Sequence, residues 1–206
     1  MPTFPCIEAV LLDGRVVRIE SHTVDPGRES AFGNTIAMAH PEAVLITHGL
    51  LMLRREGASY FGDEDQAPRL GHGYEYCDLS KRSRNIVWLT LRAKNSRKRH
   101  LVGLLEWRDV NPAEAVVTGL YVSKQFRDLG VATALMNEAV EQMKDDDYSV
   151  ALAFVPPSNE VACDFFASRD FQLVLHAGDG EDELRVLDLK LDRLFWFSLD
   201  QGHLFQ

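Results

Sequence analysis

Val116, Val117, Leu120 and Val122 form a β-branched and aliphatic run that ends at polar Ser123 and Lys124, the pattern of a buried strand. Past a glycine-bearing stretch the period changes. Val131, Ala132, Leu135, Met136, Ala139, Val140 and Met143 recur as doublets every four residues, which predicts a helix packed on one side against a sheet. Lys144 and the run Asp145 to Asp147 close it. Tyr148 to Val155 is again an apolar strand, stopped by Pro156-Pro157.

The same reading extends along the chain. Ile7 to Leu12 and Arg15 to Glu20 flank Asp13-Gly14, a two-residue connection that suits a hairpin because both residues tolerate positive φ. Residues 28–56 read as helical in two pieces, with Pro41 in the first turn of the second and Gly57 after its end. Residues 57–73, rich in Gly, Asp and Glu, read as a long surface loop. Strands follow at Ile86 to Arg92, Leu101 to Trp107 and Ala115 to Val122, separated by turns at Asn95 to Arg99 and at Asn111-Pro112. Phe171 to His176 and Leu184 to Leu191 flank Gly178-Asp179-Gly180 as a last hairpin.

Chemistry enters at the glycine turn. Arg127-x-x-Gly130-x-Ala132 leaves little side-chain bulk where the helix begins, so successive backbone N–H groups can close on an anion, aided by the partial positive charge of the helix N-terminus. A Gly-x-Ala at a helix start equally serves close packing of helix on sheet. Taken with its neighbours, the block resembles the acyl-CoA-binding motif of the GNAT superfamily of N-acetyltransferases, Arg/Gln-x-x-Gly-x-Gly/Ala after a strand ending in Val. The later run Ser158-Asn159-x-x-Ala162-x-x-Phe165-Phe166, ending in Arg169-Asp170-Phe171, resembles that family's Asn-headed helix and the Phe-headed strand after it. This match covers about a third of the chain, and a looser one runs from Ile86 to Leu191.

The resemblance implies an α/β fold of the GNAT type: a mixed, mostly antiparallel sheet of six or seven strands with helices on both faces. It implies one domain over residues 1–206. Residues 1–75 would form a hairpin, a helical pair and an acidic loop, 86–191 the acyl-CoA-binding core and 193–206 an aromatic tail. Acetyl-CoA is the implied cosubstrate, with direct attack by a primary amine. Leu120, Tyr121 and Val122 would pair with the pantetheine amides, and Arg127, Asp128, Leu129, Gly130, Val131, Ala132 and Thr133 would hold the pyrophosphate. Asp128 stands where many relatives carry Gly, and its carboxylate is expected to point to solvent, away from the diphosphate. Asn159 and Phe166 complete the implied coenzyme site.

Phe166 stands where many relatives carry a proton-donating Tyr, and phenylalanine cannot donate. Cys163, three residues earlier on the same helical face, is the candidate acid; the alternatives are a packing cysteine and a thiolate protonated by water. Glu106, near the end of an apolar strand, is the candidate base if it faces inward, directly or through water, and an ordinary surface carboxylate if it does not. A binding module that kept the scaffold and lost turnover, and a relative with another acyl donor or a nucleic acid or protein acceptor, are the rival functions.

Composition narrows the setting. At 206 residues and 46% hydrophobic, the chain can bury one good-sized core. Cys6, Cys77 and Cys163 are odd in number and unpaired in spacing, with no apolar signal segment ahead of them, which leads us to expect a reducing cytoplasm. The seven histidines are scattered singly, so no metal is expected, and no apolar run approaches the ~18 residues of a membrane span. A net charge of −9 disfavours a nucleic acid partner. Lys81 to His100 nevertheless carries eight Lys or Arg and no acid, as exposed hairpin tips or as a patch for an acidic partner. Asp63-Glu64-Asp65 and Asp179 through Glu183 would draw a cationic small-molecule or peptide amine if they flank the thioester slot. Phe195, Trp196, Phe197 and Phe205 in the tail call for cover, from their own core or from a second subunit in a homodimer.

Overall fold

A computed structural model describes residues 6–24, 82–92, 99–175 and 182–190. The helical pair expected over 28–56, the acidic loop with Asp63 to Asp65, the turns at 95–98 and 178–180, and the tail from 193 lie outside the described residues, as do Cys6's side chain and Cys77.

Among the described residues, eight strands form one sheet in the order β1-β2-β3-β4-β5-β6-β8-β7, where six or seven were expected. They are β1 (Cys6–Val10), β2 (Val16–Val24), β3 (Arg84–Arg92), β4 (Arg99–Asn111), β5 (Glu114–Val122), β6 (Val150–Val155), β7 (Gln172–Leu175) and β8 (Glu183–Asp188). All neighbours are antiparallel except β5 and β6, which are joined by the crossover helix α1 (Val131–Asp145). Helix α2 (Glu160–Ala167) links β6 to β7.

The doublet pattern of α1 buries Val131, Leu135, Met136, Ala139 and Met143, while Ala132 and Val140 stay half-buried at the margin of the stripe. Each large side chain fully buried in this way contributes about 1.5–3 kcal/mol. The main core lies between α1, α2 and one face of the sheet, with Val87, Leu89, Val102, Leu105, Trp107, Val117, Ala153 and Phe171 beneath them. Val110, Val116, Leu152, Phe154 and Leu184 form a second cluster.

Strand boundaries depart from the expected pattern at several points, among them the β1–β2 hairpin and the ends of β4 and β8. Pairing of β1 with β2 stops at Val10↔Val16, so the hairpin is wider than the two-residue turn expected at Asp13-Gly14. Gly14 N–H donates to the Leu11 carbonyl at 2.8 Å, and among residues 11–15 only Gly14 has positive φ, at 82°. A three-residue loop with a left-handed glycine results, because the Asp13 carboxylate accepts the Arg15 N–H at 3.1 Å and holds Asp13 in an ordinary conformation. Strand β4 runs on to Asn111, where Asn111 Oδ1 accepts the Ala113 N–H at 2.9 Å and Nδ2 donates to Glu114 at 2.6 Å, tightening the turn to β5. Strand β8 ends at Asp188, short of the expected Leu191.

Gly103 on β4 sets how closely α1 approaches. A Cβ there would lie 2.8 Å from Val131 Cγ1, 2.9 Å from the Tyr121 carbonyl oxygen and 3.0 Å from Leu135 Cδ1. The close helix-to-sheet contact thus comes from a glycine of the sheet. Gly130 has a different role, since the nearest atom to its missing Cβ is Leu12 Cγ at 3.6 Å.

Candidate functional site

Strand β5 is shared unequally by its neighbours. Its β4 side is paired down to Gly103↔Val122, but its β6 side is paired only from Glu114↔Val150 to Val117↔Ala153. Beyond Val117 no described strand pairs with β5 on that side, and the main chain of Leu120, Tyr121 and Val122 keeps one edge open. The parting has a local cause. Trp107 pairs with Val117 and Glu106 with Gly119, so Thr118 is one residue too many for β4, and such a bulge bends the strand that carries it.

At the end of β5 the chain turns sharply. Ser123 N–H and Oγ donate to the carbonyls of Val102 and Leu101, at 2.9 and 3.0 Å, and Lys124–Phe126 makes one 3-10 turn with Phe126 buried. Arg127 Nε donates to the Val122 carbonyl at 3.2 Å, folding the loop back on the strand it leaves. Asp128 has φ of 61° and Gly130 of 81°. Asp is among the few side chains that tolerate the left-handed region, which is how it stands where glycine is common. Its side chain is exposed.

Gly130 caps α1 without any side-chain hydrogen bond. Among the described residues, the N–H groups of Leu129, Gly130, Val131, Ala132 and Thr133 donate to no main-chain carbonyl outside the helix. These are the orphan donors of a helix start, beside an open strand edge, and they carry the partial positive charge that favours an anion.

Glu106 faces inward and is 2% exposed. Its Oε2 accepts Arg84 Nη2 at 2.6 Å and its Oε1 lies 3.3 Å from Arg108 Nε, so one carboxylate ties β3 to β4. Burial pushes the Glu106 carboxyl up, but the Arg84 and Arg108 guanidiniums outweigh it and hold it below the ordinary carboxylate range. Arg84 is therefore a buried partner and no part of a surface patch; Arg99, from the same basic stretch, has Nη1 3.7 Å from Glu20. Thr118, the bulge residue, is buried, and its hydroxyl has no hydrogen-bond partner among the described residues.

Helix α2 is capped by Asn159, whose Oδ1 accepts the Ala162 N–H at 3.2 Å. Phe166 is buried between Phe165 and Phe171, ring centroids 5.6 and 5.0 Å away, both edge-on. Cys163 is a half-buried free thiol. Its Sγ lies 3.8 Å from the Pro156 carbonyl and 3.8 Å from Oε2 of Glu183 on β8, the strand across β6 from β5. Arg185 Nη2 donates to the same Glu183 oxygen at 2.8 Å, so this member of the expected acidic cluster already has a cation.

The structure thus gathers the residues 120–122 and 127–133 at one end of the sheet. Glu106 sits on β4 opposite the bulge, and Cys163 and Phe166 on α2. Sequence reasoning missed Arg84, Arg108 and Thr118. A threonine interrupting Ala115 to Val122 was the available signal for the last; the guanidiniums needed the register of β3 on β4. No group of three His, Cys, Asp or Glu converges as a metal site among the described residues, and none of their helices is long and apolar enough to cross a membrane.

The family model of the acetyltransferase (GNAT) family matches residues 51–171, more than half of the chain. Among solved structures, the GNAT domain of S. lividans PAT aligns with a TM-score of 0.54 at 14% identity, covering 89% of this chain and 96% of that one. Escherichia coli ElaA aligns with a TM-score of 0.49 at 17% identity, covering 82% of this chain and 99% of that one. At 14% identity the likeness to the S. lividans domain is one of fold. No curated protein matches the sequence.

Proposed function

The chain belongs to the acetyltransferase (GNAT) family, and from that premise we propose that it moves an acetyl group from acetyl-CoA to a primary amine by direct attack. The observation that carries this reading is the open β5 edge beyond the Val117↔Ala153 pair, ending at a helix start with unengaged amides. An extended pantetheine arm can pair with the main chain of Leu120 to Val122 as a neighbouring strand would, through its own amides. The diphosphate then meets the N–H groups of Leu129 to Thr133. Asp128, exposed, keeps its carboxylate in solvent. Arg127 closes the loop through Val122 and adds positive charge at the rim.

In the transfer itself the amine nitrogen forms a bond to the thioester carbon, the C–S bond breaks, the amine loses a proton and the thiolate gains one. An ionised Glu106 with both oxygens against guanidiniums is a weak base for an ammonium. Its proposed part is to hold Arg84 and Arg108 on the strand opposite the Thr118 bulge and to orient the incoming amine through water. The amine arrives neutral. With Phe166 packed among rings and the Cys163 thiol next to Glu183, water protonates the thiolate in this reading, and positioning supplies the rate. Asn159 starts α2 and leaves its side-chain NH2 for the coenzyme.

The test is thiol release from acetyl-CoA with a panel of amines, alongside calorimetric titration with CoA. Saturable binding with amine-dependent release is expected, with a rate that rises with pH along the acceptor's own pKa and persists in Cys163→Ala. Binding without release from any amine would favour a coenzyme-binding module that has lost turnover. No binding of CoA would end the proposal.

A further inference from the structure

We propose that the β1–β2 turn is a positioning element of the coenzyme site, aiming the Gly130 N–H into the anion cradle through the main chain of Leu12. The inference rests on the coenzyme reading above and concerns an element that lies ahead of the family-matched residues 51–171.

The Leu12 N–H donates to the Leu129 carbonyl at 3.2 Å. That carbonyl belongs to the same peptide unit as the Gly130 N–H. The unit is trans and planar, so its C=O and N–H point in opposite directions. Fixing Leu129 O toward the hairpin therefore fixes the Gly130 donor away from it. A loop peptide with both groups free could flip, since Gly130 in the left-handed region has no Cβ to resist rotation.

The turn is built stiffly enough to serve. Leu11 N–H donates to the Arg15 carbonyl at 2.9 Å and Gly14 N–H to the Leu11 carbonyl at 2.8 Å. Asp13 grips Arg15 at both the backbone and the guanidinium, with Nε to Oδ2 at 2.6 Å. The Arg15 guanidinium in turn lies 4.7 Å over the Phe126 ring, at the start of the anion loop. The hairpin thus touches that loop at both ends, at Phe126 and at Leu129. Packing adds little to the contact: Leu12 Cγ lies 3.6 Å from where a Gly130 Cβ would stand, but the side chain is 80% exposed, in the company of exposed Val10 and Val16.

Leu12→Pro separates this role from folding. Leu12 is the second residue of the 11–14 turn, a position that favours proline, so the substitution keeps the turn and deletes the donor. Leu12→Ala keeps the donor and is the control. Each is assayed with acetyl-CoA and with S-acetyl-N-acetylcysteamine, a thioester without a diphosphate, and titrated with CoA.

For Leu12→Pro we expect CoA affinity and kcat/KM for acetyl-CoA to fall by roughly tenfold, the scale of one charge-assisted hydrogen bond. Turnover of the short thioester should stay within about twofold of wild type, and Leu12→Ala, which keeps the donor and removes only the side chain near Gly130, should lose less with acetyl-CoA than Leu12→Pro does. Arg15→Gln, which releases Phe126, should shift the same two readouts in the same directions. An equal loss with both thioesters, or no loss with either variant while wild type binds CoA, overturns the inference. Wild-type protein that does not bind CoA overturns the coenzyme reading beneath it.

Discussion

Gly103→Ala tests how α1 is held over the sheet. The new methyl would stand 2.8 Å from Val131 Cγ1 and 2.9 Å from the Tyr121 carbonyl oxygen, against the roughly 3.5–4.0 Å of a relaxed carbon contact. About 0.7 Å or more must be found on the Val131 side, and a smaller shift toward the Tyr121 oxygen and Leu135. Leu135 Cδ1 can swing away, but the Tyr121 carbonyl is main chain paired to β4, so the first turn of α1 has to rise. Overpacking of this kind costs about 1–3 kcal/mol. For a chain of this size, each kcal/mol lowers Tm by roughly 2–4 °C, so a drop of roughly 2–12 °C is expected in a thermal melt. Val131 also opens the turn whose amides are proposed to hold the diphosphate, so CoA affinity should fall along with Tm. Gly103→Ala combined with Val131→Ala removes the nearest clash and should recover part of both losses, a coupling read as a double-mutant cycle. A single variant that melts within a degree of wild type, or a double variant no better than the sum of its parts, would refute the account of the contact.

Glu106→Gln should destabilise the fold by about 3 kcal/mol, because it removes the carboxylate shared by two buried guanidiniums. Since the folded carboxyl sits below its ordinary 4.5, the stabilisation is complete above that pH and is lost as pH falls through the folded value. Urea titrations of the two proteins should therefore differ at neutral pH and converge on acidification; a pH-independent gap would count against the triad. Thr118→Val should raise stability by up to about 1 kcal/mol, as expected for removing a buried hydroxyl without a partner among the described residues, while lowering kcat for acetyl transfer. A gain in stability with unchanged turnover would exclude the hydroxyl from the site. Tyr148 is pushed up to about 12 by burial first and by Asp109 and Asp146 next, so its phenolate absorbance, taken as the difference from Tyr148→Phe, should appear near there and not near 10. The folded-state preference for the neutral phenol is lost as pH rises through that value, so stability should decline across the interval.

The parts of the fold that were legible in the sequence are local. Doublets from Val131 to Met143 mark one helix face, Asn159 caps the next helix, and Gly130 sits where the chain needs a left-handed residue. Each follows from neighbours a few positions apart. The rest depends on strand register, which no short window contains. That Glu106 meets Arg84 and Arg108 needs β3 and β4 aligned to the residue. That Thr118 becomes a bulge needs Glu106 and Trp107 set against Gly119 and Val117. The Leu12 and Leu129 contact joins turns that are distant along the chain, and the left-handed φ of Asp128 is not written in a charged residue.

Among the described residues, four pairs, Glu114↔Val150 to Val117↔Ala153, are all the strand pairing that joins β1–β5 to β6–β8. Hydrogen bonding across so short a seam is the thin part of a sheet whose apolar core runs continuously beneath it, and amide exchange along it should outpace that in the longer β2–β3, β3–β4 and β4–β5 ladders. Whatever lodges in the gap beyond the last pair would act as a rivet, raising protection on both sides at once.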